Sequence, residues 1–195
     1  MEKQNNRQNQ RGKQRDNKPK EFKNVYSLCQ ITKRISLPVT AIGKNLHQTI
    51  EETISKMISG KCIVEGFVKP NSIRVITFSS GIVISDNVIF DVVFNCDVCY
   101  PVAGMNLNCV ATAVTKGGIT AESADESPSP YILQVARDHY YANDYFNSIE
   151  QGDKFVARVI AQRFELYDKR VSIIADIVPP QSSMKENKPL LIIDG

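Results

Sequence analysis

The sequence has few of the residues on which enzymes depend: it contains no tryptophan and only two histidines, His47 and His139. Histidine is the side chain most often used for general acid–base catalysis. No serine–histidine–aspartate or cysteine–histidine arrangement can be built from so few. The glycine-rich phosphate loop, the dinucleotide-binding fingerprint and the zinc-protease motif are also absent. The sequence gives no positive sign of catalysis, and we expect no catalytic residue and no cofactor.

Long apolar runs are also lacking. No stretch of about 18 uncharged apolar residues exists that could cross a membrane, and the polar, basic N-terminus does not resemble a secretory signal. Hydrophobic residues nevertheless make up 42% of the 195 residues, enough for one large domain or two small ones. The odd number of cysteines, five, favours a reducing compartment over a disulfide framework. We therefore expect an intracellular protein with no membrane partner.

Positive charge is concentrated at the N-terminus, although the whole chain carries only +3. Residues 1–24 hold eight basic and three acidic side chains, a net +5, which leaves 16 basic and 18 acidic residues, a net −2, for the rest. With Phe22 as its only aromatic residue, this segment cannot bury enough apolar surface to fold. We predict a disordered basic tail, which either attracts nucleic acid without sequence preference or keeps the protein soluble.

The pattern from residue 25 to residue 100 predicts one helix among several strands. An extended segment is closed by Pro38, and apolar residues at helical spacing follow from Leu46 to Ile58, with Gly60 as the stop signal. Strands are then predicted over Cys62–Val68 and Ile73–Phe78. The clearest segment runs from Val88 to Tyr100, where apolar residues alternate with polar ones and indicate a long strand with one buried face.

The pattern from residue 101 to residue 178 predicts five strands in a small closed barrel of the OB type. A single helical turn is predicted over Tyr145–Gln151, and the segment 179–195 reads as a polar tail. The fold class is therefore α+β and mostly β, with a helix-plus-antiparallel-sheet domain (25–100) before the barrel (101–178). The predicted barrel strands are Gly104–Val114, Ile119–Ala121, Tyr131–Ala136, Lys154–Phe164 and Lys169–Val178.

Cys96 and Cys99 have the spacing of half a zinc site, but no second pair follows at a suitable distance, and Cys109 alone cannot complete four ligands. The pair lies inside the long predicted strand, where period-two alternation turns Cys96 inward and Cys99 outward. We predict structural cysteines and no metal site.

The order of these segments resembles the seventh-subunit family of multisubunit DNA-directed RNA polymerases, which includes the corresponding archaeal protein. In that family an N-terminal tip domain precedes an S-one type OB domain. The basic tail and the isoleucine-, asparagine- and lysine-rich composition resemble the versions encoded by large cytoplasmic DNA viruses. The resemblance covers residues 25–178 and depends on the segments Ile35–Lys44, Ser59–Phe67, Val98–Gly104, Gly152–Ile160 and Asp168–Ile173.

The resemblance implies a non-catalytic subunit that docks on the large polymerase core subunits through its tip domain and contacts nascent single-stranded RNA through its OB domain. It implies the host cytoplasm or the virion for a viral protein and the nucleus for a cellular one. The family usually pairs with a fourth subunit, although no residue here identifies such a partner. The expected docking residues are Gly60, Gly66, Lys69, Pro70 and Asn71. The expected RNA contacts are Lys116, Tyr131, Arg137, His139, Arg163, Lys169 and Arg170.

One departure from the family concerns base stacking. S-one domains usually present aromatic residues on their second and third strands, whereas the aliphatic Ile119 follows Gly118 here. Tyr131, with Tyr140 and Tyr141 nearby, is expected to replace the lost platform, and we predict modest, sequence-tolerant RNA affinity. The alternative function is a free-standing OB-fold RNA-binding protein of translation or RNA turnover, which would not need the N-terminal domain.

Overall fold

The computed structural model describes residues 25–139 and 143–180. The predicted basic tail, most of the predicted C-terminal tail, and Tyr140 and Tyr141 lie outside these residues. The described residues form strands, two short 3-10 turns and two helices. The elements are β1 (Tyr26–Pro38), α1 (Leu46–Ile58), β2 (Cys62–Ile63), β3 (Gly66–Val68), β4 (Arg74–Phe78), β5 (Ile82–Ile84), β6 (Asn87–Cys99), β7 (Asn106–Thr115), β8 (Gly118–Ser123), β9 (Tyr131–Ala136), α2 (Asp144–Ser148), β10 (Lys154–Arg163) and β11 (Val171–Val178).

Strand β6 is the centre of the first sheet and confirms the long alternating strand. It pairs with β1 in antiparallel register over all 13 residues, from Tyr26 opposite Cys99 to Pro38 opposite Asn87. Its other edge is shared by three short strands, β3, β4 and β5, which follow one another along it. Because side chains alternate between the faces of a strand, β6 turns its apolar set, from Val88 to Val98, towards one side.

Helix α1 covers that side and confirms the helix prediction. Ile50, Ile54 and Ile58 recur at helical spacing and are fully buried in one cluster with the apolar residues of β6. Burying each isoleucine contributes about 1.5–3 kcal/mol relative to leaving it exposed. The helix ends where the Ser59 amide donates to the Ser55 carbonyl at 3.0 Å, and Gly60 then turns away with a φ of 69°.

Three details of this half differ from the sequence predictions. The single strand predicted over Cys62–Val68 is two short strands, because the chain turns between Ile63 and Gly66 and these two residues pair with each other. Strand β5, which pairs with the start of β6, is additional. Tyr100 lies beyond the end of β6 and is half exposed, so it does not belong to the buried face.

The second half closes into a five-stranded barrel, as predicted. Around the barrel the strand order is β7, β8, β9, β11 and β10, and β10 pairs with β7 to close it. The pairing is antiparallel except between β9 and β11, which run parallel. Helix α2, at the predicted single turn, is capped by Asn143, whose side chain accepts a hydrogen bond from the Phe146 amide. It places Phe146 in the barrel core.

The sheet and the barrel share part of one core. Cys99 points away from Cys96, as its parity requires, but it is fully buried rather than exposed, because it packs in the same cluster as the barrel residue Leu107. Two backbone hydrogen bonds cross the same junction, from the Cys62 amide to the Asp168 carbonyl at 2.7 Å and from the Tyr167 amide to the Cys62 carbonyl at 2.8 Å. The domain boundary near residue 100 stays a prediction.

Gly66 gives a test of the contact between β3 and β6. A Cβ added there would lie 2.5 Å from the Cys99 carbonyl oxygen, at a positive φ that other residues avoid. We expect Gly66→Ala to lower the free energy of unfolding by about 2–3 kcal/mol, measured by urea denaturation.

The matched control is Gly104→Ala, where φ is 85° but nothing lies within 4 Å of the added Cβ, so that only the backbone strain is introduced. Equal losses in the two variants would contradict the close approach of β3 to β6.

Candidate nucleic-acid interface

A shallow groove of about 310 Å³ runs over the outer face of β8, β9 and β11. Thr120, Gln134 and Ile174 line it because each occupies an outward position of its strand, while the alternate residues point into the barrel. The β7–β8 turn at Gly117 and Gly118 closes one end. A Cβ on Gly118 would lie 2.1 Å from the Val135 carbonyl oxygen, so only glycine permits this approach of β8 to β9.

A second groove of about 220 Å³ adjoins the first, and the two share Gln134 and Ile174. It extends across β11 to the end of β10, where Gln162, Arg163 and Ser172 line it. Together the two grooves form one outer surface, which we call the barrel groove. Its polar side chains are mostly uncharged amides and hydroxyls, which can donate and accept hydrogen bonds.

The predicted RNA contacts fall into two groups at opposite ends of the barrel groove. Lys116 and Arg137 lie at one end, because the Arg137 amide donates to the Gly117 carbonyl at 3.1 Å. Lys169 and Arg170 lie at the other end, directly before β11, which pairs with the start of β9. Six residues of β9 separate the ends, which corresponds to about 20 Å. Arg163 belongs to the second group, because its register partner is Ser172.

Arg137 is held in place by its neighbours. Its guanidinium donates to the Asn147 side chain at 3.3 Å and to the Thr115 carbonyl at 3.4 Å, and it lies 5.2 Å from the Phe146 ring centre. Its Nε is buried without a hydrogen-bond partner among the described residues. Lys116, by contrast, is exposed on the turn beside it. Arg137 therefore supports this end of the barrel, and Lys116 supplies the accessible charge.

The second group contains three cations. Arg163 and Arg170 each form an ion pair, whereas Lys169 forms no ion pair with the described residues. Arg163 pairs with Glu165 at 3.2 Å, with both side chains more than 70% exposed, and Arg170 pairs with Glu122. Exposed pairs of this kind contribute about 0–1 kcal/mol, so a phosphate can replace the carboxylate at little cost. Lys169 is exposed on the β10–β11 loop.

Tyr131 is not available for base stacking, contrary to the sequence prediction. It is fully buried in the barrel core, where its hydroxyl donates to the Asn108 carbonyl at 3.3 Å and lies 3.9 Å from the Cys109 sulfur. Burial raises the pKa of Tyr131 far above its usual range. The side chain of His139 lies outside the described residues, and Ile119 is also buried. The sequence signal that places Tyr131 inside the barrel is the alternation of β9, because Tyr131 lies on the same side of the strand as Leu133 and Val135.

The predicted docking residues differ in exposure: Pro70 and Asn71 are exposed, Gly60 and Lys69 are partly buried, and Gly66 is buried. Gly60, Pro70 and Asn71 form one corner, where a Cβ on Gly60 would lie 3.7 Å from Pro70 and where Asn71 is exposed with a φ of 60°. Lys69 faces the barrel, where its ammonium pairs with Glu126 at 3.0 Å and lies 4.6 Å from the centre of the Tyr26 ring.

The cysteines sit in apolar surroundings. Cys96 and Cys99 belong to two different core clusters on opposite sides of β6. Desolvation by burial raises the pKa of each to about 12. Within residues 25–139 and 143–180, no three histidine, cysteine or acidic side chains are placed to hold a metal ion. Neither helix of these ranges, α1 or α2, has the length and the apolar composition of a membrane-spanning helix.

Comparison with known proteins shows a similarity to a viral protein. No family model matches the chain. The chain is 23% identical over 188 residues to a protein of Acanthamoeba polyphaga mimivirus that is named "Putative DNA-directed RNA polymerase subunit". The similarity covers 88% of this chain and 93% of the viral protein, so it includes both the sheet and the barrel.

The buried thiols predict a loss of stability in alkali. Burial raises the pKa of Cys109 to about 12, against about 8.5 in an unfolded chain. Because the unfolded thiol ionises first, the stabilising contribution is complete below about pH 8.5 and is lost as the pH rises towards 12. We expect the free energy of unfolding, measured with urea under reducing conditions, to fall between about pH 8.5 and 10.5.

Cys109→Ala is the comparison variant. It removes one ionising group, and its alkaline slope should be shallower by about 1.4 kcal/mol per pH unit. An unchanged slope would show that this thiol ionises as readily in the folded protein as in the unfolded chain.

Proposed function

We propose that the chain is a non-catalytic subunit of a multisubunit DNA-directed RNA polymerase, in the seventh-subunit family. The observation that carries the proposal is the similarity to the mimivirus protein along nearly the full length of both chains. By the same argument the protein acts inside the infected cell, in association with the large core subunits. A fourth-subunit-like partner and packaging in the virion belong to the same proposal.

The barrel supports the assignment of an S-one type OB domain that contacts single-stranded RNA. Numbered along the chain, its strands are arranged 1-2-3-5-4, with strand 4 returning to strand 1. OB folds bind oligonucleotides on strands 2 and 3 and on the loops between strands 1 and 2 and between strands 4 and 5. Here the barrel groove lies on strands 2 and 3, and these loops hold Lys116 and Lys169.

The outward positions of β8 and β9 contain no aromatic side chain, which gives the proposed binding a particular character. Stacking on an aromatic ring contributes about 1–3 kcal/mol per base, and β8 and β9 supply only aliphatic, polar and acidic side chains outward. Binding would therefore depend on phosphate contacts and hydrogen bonds. The segment of residues 1–24, with its net +5, would add positive charge that attracts phosphates.

The salt dependence of RNA binding tests the electrostatic part. For single strands, the logarithm of the affinity changes with the logarithm of the salt concentration with a slope of about −0.7 per phosphate contacted. We expect replacing Arg163 and Lys169 by alanine to reduce this slope by about 1.4, measured with a single-stranded RNA of about 12 nucleotides. Deleting residues 1–24 should flatten it further.

Lys44→Ala is the matched control, because Lys44 is exposed but belongs to the sheet half of the chain. If Lys44→Ala flattens the slope as much as a barrel substitution does, charge anywhere on the protein suffices and the barrel groove is not the binding surface. A wild-type affinity that is independent of salt would remove the phosphate contacts from the proposal.

Docking is proposed for the corner formed by Gly60, Pro70 and Asn71. Pro70→Glu places a charge on this exposed turn, and we expect about tenfold weaker association with the core, equivalent to about 1.4 kcal/mol. The measurement is recovery of the two largest polymerase subunits with the tagged full-length chain from its native source. Gly66 is unsuitable for this test, because substitution there disturbs the fold itself.

Ser80→Glu is the control, since Ser80 lies on another exposed turn of the same sheet. Both variants should keep the melting temperature of the wild type. Equal recovery from both variants would exclude the corner as the docking site. If the wild-type chain recovers RNA but neither large subunit, the free-standing RNA-binding protein becomes the better account.

A further inference from the structure

Cys29 and Cys96 are directly opposite each other in the β1–β6 pair. Directly opposed residues of antiparallel strands project from the same face, with Cα atoms about 4.5–5.5 Å apart. A disulfide needs a Cα separation of about 4.4–6.8 Å. The register therefore places two free thiols at a separation that a disulfide can join without moving the backbone.

The other three cysteines have no cysteine in register. Cys62 pairs with Phe67, Cys99 pairs with Tyr26 and Phe67, and Cys109 pairs with Ser123 and Phe155. Cys96 and Cys99 share a strand but, three residues apart, point to opposite faces. All five cysteines lie within the described residues, and among them Cys29 and Cys96 are the pair that the strand register places directly opposite each other.

The two thiols of the pair differ in access. Strand β1 is an edge of the sheet, with β6 as its partner, and Cys29 is partly exposed. Cys96 is fully buried, and its pKa is raised to about 12, first by desolvation and then by the nearby Cys29. An oxidant in solution would therefore meet Cys29 first, and Cys96 would respond from inside the core.

We propose that Cys29 and Cys96 form an oxidation site, at which a peroxide converts the two thiols into a cross-strand disulfide. The Cys29 thiolate attacks one peroxide oxygen, the O–O bond breaks, and the other oxygen leaves as hydroxide, which takes up a proton to become water. Cys96 then attacks the Cys29 sulfenic sulfur and gives up its proton to the departing hydroxide, which leaves as a second water. Two thiols and one hydrogen peroxide thus yield one disulfide and two waters.

The cross-link would fasten the outer strand of the sheet to its central strand. It closes a chain segment of about 70 residues that includes α1, and a loop of this length strongly restricts the unfolded state. We expect the melting temperature of the oxidised protein to exceed that of the reduced protein by about 10 °C.

Peptide mapping of the full chain after treatment with hydrogen peroxide tests the proposal. Trypsin leaves Cys96, Cys99 and Cys109 on one peptide, so digestion with a second protease that cleaves before aspartate is added. It cuts before Asp91 and Asp97 and isolates Cys96 from Cys99. We expect the fragment that contains Cys29 to be joined to residues 91–96, lighter by two hydrogen atoms, and to be released by dithiothreitol.

Two variants complete the experiment. Cys29→Ser should lose both the joined fragment and the rise in melting temperature, whereas Cys99→Ser should keep the joined fragment. Because the mapping uses the wild-type chain, it does not depend on the folding of either variant. Overoxidised Cys29 with Cys96 still reduced, or a bond to any other cysteine, would overturn the proposal.

Discussion

The pairing of β6 with β1 over 13 residues is the interaction on which the rest of the structure depends. A strand of this length spans about 40 Å, so β6 serves different neighbours along its course. Its apolar face supports α1, its second edge aligns β4 and β5, and its last residues reach the barrel, where Cys99 joins the barrel core. A shift of one residue in this register would exchange the two faces, expose the apolar set and bury Asp91 and Asp97.

Much of the fold could be predicted because each element has a periodicity that is visible locally. The spacing of Ile50, Ile54 and Ile58 predicts α1 at its observed position, and strict alternation predicts β6. Turn residues between short apolar segments predict the barrel strands. The turn between Ile63 and Gly66 could not be predicted, because the mostly apolar segment from Cys62 to Val68 looks like one continuous strand. Strand β5 escapes prediction because it has only three residues, all of them apolar, so no alternation of apolar and polar residues marks it.

The candidate site could be predicted less completely, because residue type alone does not give residue direction. Tyr131 is an aromatic ring near a strand end, which suggests stacking, whereas its parity with Leu133 and Val135 places it in the barrel. The residues that line the barrel groove, such as Gln134, have no chemistry that marks them in a sequence. Arg137 does lie at the barrel end as a cation, but its contacts with neighbouring side chains follow from the fold alone.

The sequence by itself determined the helix, the long strand, the five barrel strands and the concentration of positive charge in residues 1–24, since each depends on the spacing or composition of neighbouring residues. The tertiary structure alone decided that Cys99 is buried, that Lys69 and Arg170 are paired, and that Cys29 lies opposite Cys96. These facts depend on contacts between residues far apart in the chain. No local pattern encodes the register of two strands or tells which element packs against a given face of a sheet. Both are set by the packing of the whole molecule.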